Sequence, residues 1–149
     1  MPQPDYRRPT AEDAVLSREI VLIRAKRRFM YSEQVLEHFQ NPRNVGDLEN
    51  PTASAQVENP ACGDIMRLSV RVDGERIVAV AFRAQGCVPS IACGSQLTEA
   101  LQGRTLAEAH ALKREHLVQE LGGLPEASTH AGTLAMDALK AVLVKVQAG

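Results

Sequence analysis

The segment MRLSVRVDGERIVAVAFRA, residues 66–84, contains two predicted β-strands and the turn between them. In its first half apolar residues alternate with Arg or Ser, which is the period of a strand with one buried face. Asp73-Gly74 is a hairpin turn signal, and the Val, Ile and Phe content of residues 77–84 favours a returning strand. Residues 53–58 are predicted to add a short edge strand. We therefore expect a three-stranded antiparallel sheet.

Helical patterns lie on both sides of this hairpin. A helix is predicted from Ser32 to the Asn41-Pro42 pair, because proline ends a helix. Pro89 suits the first turn of a helix that runs to about Leu101. Three further helices are predicted to start at Thr105, with a capping box to Glu108, at Glu115, and near His130. This order predicts an α+β fold, a small antiparallel three-stranded sheet with helices packed on one face.

The composition suits one globular domain over residues 30–149. The chain has 149 residues, of which 44% are hydrophobic and 3% aromatic, so aliphatic residues must build the core. A net charge of −1 argues against a nucleic-acid partner, and no apolar run is long enough to enter a membrane. Three cysteines, an odd number, argue against a secreted disulfide framework. We therefore expect a cytoplasmic protein with free thiols.

Residues 1–29 differ from the rest of the chain. Three prolines open a polar stretch, and residues 10–28 have the pattern of a helix with basic residues gathered at its C-terminal end. Two alternatives stay open for this N-terminal extension. It is either a native segment, helical or disordered, or it precedes a natural start at Met30.

Four residues are candidate metal ligands. A thiol and a carboxylate flank a glycine in Cys62-Gly63-Asp64, Cys87 stands at the predicted start of one helix, and His130 stands at the start of another. Taken singly, each has an ordinary structural role, as a small buried cysteine, a turn aspartate or a capping histidine. Together, two thiolates, a carboxylate and an imidazole would complete a tetrahedral zinc site. Thiolate-rich sites also hold iron–sulfur clusters, and spacing alone leaves both alternatives open.

Five motifs stand out along the chain: YSEQVLEHFQNPRNVG at 31–46, NPACGD at 59–64, Gly-Cys followed by Ser-Ile-Ala within 86–92, LTEAL at 97–101, and Leu-Pro ahead of His130. With these motifs the chain resembles the IscU/NifU N-terminal type of iron–sulfur cluster assembly scaffold. The resemblance covers about residues 30–146. It implies a scaffold, not a turnover enzyme, on which iron and sulfur from a cysteine desulfurase form a [2Fe–2S] cluster. It also implies an α+β fold like the one predicted above.

The resemblance assigns site residues at the matching positions. It implies that the cluster, or zinc in the isolated protein, is held by Cys62, Asp64, Cys87 and His130. The family usually places a third cysteine directly after the histidine, where this chain has Ala131. Without that thiol, Cys62 is our candidate persulfide acceptor, because its glycine-flanked loop can move toward a partner.

Cys93 is a further cysteine that needs its own explanation. It lies six positions beyond Cys87, which on a helix is roughly 9 Å along the axis and about 120° around it. We therefore favour a packing role for Cys93, and keep a role as an alternative ligand or resolving thiol open.

The resemblance also implies partners, namely a cysteine desulfurase and recipient apo-proteins. Residues 126–128 read Glu-Ala-Ser where IscU-type members have Pro-Val-Lys, so recognition by an Hsp70-type chaperone is predicted to be weak or absent. Two alternative functions stay open. One is a zinc-binding sulfur acceptor of the SufU type that activates a desulfurase, although the long insertion of that branch is absent here. The other is an interaction module that has lost the chemistry.

Overall fold

The computed structural model of the chain describes residues 31–61 and 63–148. Its elements are α1 (Glu33–Gln40), β1 (Ala53–Glu58), β2 (Ile65–Asp73), β3 (Arg76–Gln85), α2 (Val88–Leu101), α3 (Leu106–Ala111), α4 (Arg114–Glu120), a 3₁₀ turn (Glu126–Ser128) and α5 (Thr129–Ala148). The predicted α+β fold is confirmed. The helix predicted in residues 10–28, and Cys62, lie outside the described residues. Within them, no helix combines the length and the apolar character needed to cross a membrane.

The sheet has the strand order β1-β2-β3, with both pairings antiparallel. Leu68 of the central strand lies between Ala55 of β1 and Phe82 of β3. The alternating residues of β2 face the core, as their period predicts, and three are fully buried: Met66, Leu68 and Val70. A register shift between Arg71 and Val72, which the sequence did not indicate, precedes the hairpin turn.

Helices α2 and α5 supply the layer that covers the sheet. Helix α2 contacts β3, whereas α5 contacts β1 and β2. The approach is closest at Gly94 of α2, where an added Cβ would lie 2.6 Å from ring carbons of Phe82. Because only a hydrogen atom fits there, this glycine sets the distance between α2 and the sheet.

A buried polar network joins α1 to α2. The Nδ1 atom of His38 lies 2.7 Å from the Ser95 hydroxyl oxygen, which also accepts a 2.9 Å hydrogen bond from the backbone N–H of Arg43. The Asn44 side-chain amide donates to the Thr98 hydroxyl at 3.1 Å. Burial lowers the pKa of His38, although Glu99, at 3.3 Å from Nε2, acts in the opposite direction. The Asn-Pro-Arg-Asn-Val-Gly motif therefore has a structural role in this junction.

Two loops run along the outer edge of β3. The backbone N–H of Phe82 donates to the carbonyl of Asn44, and the Phe82 carbonyl accepts from Gly46, at 2.9 and 2.8 Å. Near the other end of the strand, Ile77 donates to Arg104 and accepts from Gly103, at 2.8 and 2.9 Å. Both backbone groups of these two β3 residues therefore have loop partners.

Candidate metal centre

Three elements bring the candidate ligands to one end of the sheet. Asp64 immediately precedes β2, whose first residue pairs with Gln85 at the end of β3. Cys87 is the N-cap residue of α2, with Pro89 in the first turn as predicted. His130 is the second residue of α5. The sheet register thus places Asp64 and the β3–α2 turn side by side, which sequence spacing alone does not require.

The ligand atoms of Asp64, Cys87 and His130 all lie within 4.8 Å of one another. The Cys87 sulfur is 3.3 Å from Asp64 Oδ2 and 3.8 Å from His130 Nε2, and the imidazole nitrogen is 3.7 Å from the same carboxylate oxygen. Ligand atoms around tetrahedral zinc, with bonds of about 2.0–2.3 Å, lie roughly 3.3–3.5 Å apart. The three groups therefore need to move by only a few tenths of an ångström to share one ion.

Asp64 is held by contacts with neighbouring residues. The Ser90 hydroxyl donates a 2.6 Å hydrogen bond to Oδ2, and this bond is the main cause that lowers the pKa of the Asp64 carboxyl. Burial acts in the opposite direction, while the Cys87 thiol and backbone N–H add to the lowering. Gly86 also packs against this side chain, since an added Cβ there would lie 2.6 Å from the Asp64 carboxyl carbon. The carboxylate is thus ionised and confined.

The loop before Asp64 is closed by its own hydrogen bonds. Asn59 donates to the Asp64 carbonyl at 2.8 Å, and its own carbonyl accepts from Gly63 at 2.7 Å. Gly63 adopts a φ of 74°, a conformation that favours glycine. This geometry explains the glycine that separates the cysteine from the aspartate in the sequence. Cys62 itself lies outside the described residues, so its role as a fourth ligand stays a prediction.

The site opens to the surface. Cys87 is exposed and the His130 side chain is 34% exposed, whereas Asp64 is buried beneath them. A cavity of about 340 Å³ lies beside His130, between the end of β1 and the first turns of α5. An incoming ion or a partner's side chain can therefore reach Cys87 and His130 directly.

Cys93 and Ala131 lie in the hydrophobic core, and both are fully buried. Burial, with a smaller contribution from Cys87, raises the pKa of Cys93 to about 12. Among the described residues, the group that could hold a metal does not include Cys93. Its position favours the packing interpretation over a ligand role.

Ser90 and Gly86 are site residues that the sequence analysis missed. Both lie close in sequence to Cys87, and a polar residue in the first turn of an otherwise apolar helix was the available signal for Ser90. That signal is weak, because serine is common in first turns of helices. Both residues contact Asp64, which lies more than twenty positions earlier in the chain, so no local pattern links them to it.

The fold and the site define a class of protein. It consists of small α+β domains with a candidate metal site, built from a cysteine, a histidine and an aspartate, at one end of an antiparallel sheet. Residues 30–148 match the NifU-like N-terminal domain family, and the chain belongs to that family. It is 43% identical over 115 residues to iron–sulfur cluster assembly scaffold protein IscU 1 of Archaeoglobus fulgidus, covering 77% of this chain and 75% of that protein.

Bacterial relatives give similar values. The Escherichia coli scaffold protein IscU is 43% identical over 117 residues, covering 76% of this chain and 91% of that protein. The Haemophilus influenzae IscU is 41% identical over 122 residues, covering 79% and 96%.

Solved structures agree with the fold. A NifU-like N-terminal protein from Brucella abortus superposes with a TM-score of 0.67 at 22% identity, covering 81% of this chain and 96% of that one. A candidate SUF-system scaffold from Fervidobacterium islandicum gives 0.63 at 24% identity, covering 78% and 98%.

Proposed function

We propose that this chain is an iron–sulfur cluster assembly scaffold. In this proposal it accepts sulfur from a cysteine desulfurase, binds iron, and passes a [2Fe–2S] cluster to recipient apo-proteins. Relatives at 41–43% identity, aligned over 75–96% of their own length, are named iron–sulfur cluster assembly scaffold proteins. Their similarity extends over the domain that carries the candidate site.

The observation that carries the proposal is the convergence of Asp64, Cys87 and His130 within 4.8 Å. With Cys62 as the proposed fourth ligand, the donor set would hold two thiolates, a carboxylate and an imidazole. Oxygen and nitrogen donors are harder than thiolates, and a neutral imidazole in place of a thiolate reduces the negative charge around iron. Such a set would bind a cluster loosely, which suits a protein whose product must leave.

The proposed role is stoichiometric, without catalytic turnover, and the proposed compartment is the cytoplasm, where thiols stay reduced. A net charge of −1 gives no support for a nucleic-acid partner. We propose weak or absent recognition by an Hsp70-type chaperone, because Glu126–Ser128 forms a 3₁₀ turn with an acidic residue where the family's basic motif would lie.

Anaerobic reconstitution with ferrous iron and sulfide tests the scaffold function. We expect a visible absorbance band and two irons with two sulfides for each site. Cys87→Ala should lose most of this cluster, whereas Cys93→Ala, a matched cysteine change in the core, should retain it. A wild-type protein that takes up neither iron nor sulfide would refute the proposal.

A zinc-binding sulfur acceptor is the second candidate, because the described donor set also fits zinc. It would activate a desulfurase without building a cluster. Reconstitution separates the two functions, since this candidate retains one zinc and gains no visible band. A protein that binds neither a cluster nor zinc in this experiment would be the interaction module, the remaining alternative.

We propose Cys62 as the persulfide acceptor. Its thiolate would attack the outer sulfur of the desulfurase persulfide, and the desulfurase cysteine would leave as a thiolate. Cys93 is a poor competitor because burial raises its pKa to about 12. Incubation with a desulfurase and cysteine, followed by thiol blocking and peptide mass spectrometry, should find the added sulfur on the Cys62 peptide. Persulfide found chiefly on Cys87 or Cys93 would contradict this assignment.

A further inference from the structure

Ser90 connects two of the candidate ligands. Its side chain is buried, at 1% exposure, in the first turn of α2. The hydroxyl donates to Asp64 Oδ2 at 2.6 Å, and its oxygen lies 3.3 Å from the Cys87 sulfur. Cys87 is exposed and Asp64 is buried, so the serine lies below the thiol and against the carboxylate.

We propose that Ser90 is a positioning residue of the metal centre, which holds the Asp64 carboxylate in place for a metal shared with Cys87 and His130. This inference rests on the proposed function, since it assumes that these residues bind metal. Ser90 acts through Asp64 and does not itself contact the ion.

The contacts around the Asp64 carboxylate give Ser90 this role. The carboxyl carbon lies 2.6 Å from where a Cβ on Gly86 would be, so the carboxylate occupies the space of the missing side chain. Ser90 donates to the same carboxylate oxygen that faces Cys87 and His130. A carboxylate oxygen has a second lone pair, so it can keep the serine bond and bind a metal together.

The Ser90 hydroxyl has a second partner within reach. Its oxygen lies 3.3 Å from the Cys87 sulfur and 2.6 Å from Asp64 Oδ2, so it contacts both candidate ligands. Partners of this kind typically change metal affinity by about 10- to 100-fold when they are removed.

The test is a double-mutant cycle on the full-length protein with Zn²⁺ and Co²⁺. Zinc affinity is measured by competition with a chromophoric chelator, and the Co²⁺ spectrum reports thiolate ligation and coordination geometry. Ser90→Ala should weaken zinc binding by about 10- to 100-fold and weaken the tetrahedral cobalt bands. Ser95→Ala is the matched control, because Ser95 is a fully buried serine on the same helix whose partners are His38 and Arg43.

The cycle separates positioning from general stability. In an Asp64→Ala background, Ser90→Ala should have almost no further effect, because the group through which it acts is gone. A full effect of Ser90→Ala in that background, or an equal loss in Ser95→Ala, would overturn the inference. Wild-type affinity in Ser90→Ala would overturn it and leave the proposed function intact. A wild-type protein that binds neither ion at this site would overturn both.

Discussion

Cys87 and Cys93 lie on the same helix, yet the fold gives them opposite chemistry. Cys87 is exposed at the N-cap of α2, whereas Cys93 is buried in the core with its pKa raised to about 12. The sequence placed Cys87 at the start of the helix, from Pro89, and favoured a packing role for Cys93. It could not give the contacts that bury Cys93, because these depend on how α2 lies against the sheet and α5.

Alkylation distinguishes the two thiols. With a pKa of about 12, Cys93 has roughly three thousandfold less thiolate at neutral pH than a free cysteine of pKa about 8.5. Iodoacetamide should therefore modify Cys87 in the native protein, and Cys93 only after unfolding in urea. Peptide mass spectrometry of both states checks this result. Rapid native modification of Cys93 would show that α2 opens far more readily than its packing indicates.

Gly86 provides a second test at the scale of single residues. Its backbone is not in the left-handed region, so alanine can adopt its conformation, but the new methyl group would displace the Asp64 carboxylate. Gly86→Ala should weaken zinc binding by about tenfold or more with little change in secondary structure. Gln85→Ala, at the exposed neighbouring position, is the control and should bind as the wild type does.

The contact between α2 and β3 shows what helix periodicity leaves undetermined. Alternation and capping signals located both elements, but the close approach at Gly94 depends on which β3 side chain lies beneath it. A glycine inside a helix ordinarily weakens the helix. The sequence therefore indicated that Gly94 was unusual, but it did not indicate which side chain lies against it. In the folded chain that partner is Phe82.

Two glycine-to-alanine changes test this approach. Gly94→Ala should destabilise the protein by about 1–3 kcal/mol, because the ring of Phe82 must shift in a packed core. Gly132→Ala in α5 should be near neutral, since its nearest neighbour at 3.0 Å is the flexible side chain of Arg114 and alanine favours the helix. Urea unfolding measures both. Equal effects of the two changes would contradict the role given to Gly94.

The junction of α1 with α2 predicts a pH dependence. The pKa of His38 is lowered from 6.5 by burial, so the unfolded chain binds a proton more readily than the folded one. The stability that neutral His38 contributes is complete above pH 6.5, and it decreases as the pH falls toward the folded-state pKa. Glu99, Glu37 and Arg43 modify this shift without reversing it.

Unfolding experiments at about pH 7.5 and about pH 5.5 check this dependence. The wild-type protein should lose more stability between the two conditions than His38→Gln, which cannot titrate. His110→Gln, a change at an exposed histidine, should behave like the wild type. If His38→Gln loses as much stability between the two pH values as the wild type does, the acid sensitivity comes from other groups.

At the scale of the whole molecule, the described core and the gathered candidate ligands lie within residues 31–61 and 63–148. The family match begins at residue 30, and every buried side chain described above lies after it. Local patterns in this part of the sequence were sufficient to predict the strands and the helices. The candidate ligands Asp64, Cys87 and His130 followed from the family resemblance, because taken singly each has an ordinary structural role. The polar junction and the confinement of Asp64 were not predictable, because they join residues far apart in the chain.

Removal of residues 1–29 tests how far the domain depends on the extension. A chain starting at Met30 should keep its thermal midpoint within a few degrees and bind the same amount of zinc, because the family match begins at residue 30 and the described core and donor residues all follow it. Thermal unfolding and metal analysis of both lengths check this expectation. A truncated chain that fails to fold would show that the extension contributes to the core.

The loops along the outer edge of β3 have a consequence for how the protein behaves at high concentration. An edge strand with free backbone groups is a template on which a second molecule can add a strand and begin aggregation. Here Phe82 and Ile77 already have loop partners on that edge. On β1, the strand at the other edge of the sheet, the Ser54 carbonyl accepts a 2.7 Å hydrogen bond from the Lys145 ammonium. Edge-to-edge association of two sheets at these positions would first have to displace these contacts, so we expect them to oppose growth into larger β-assemblies.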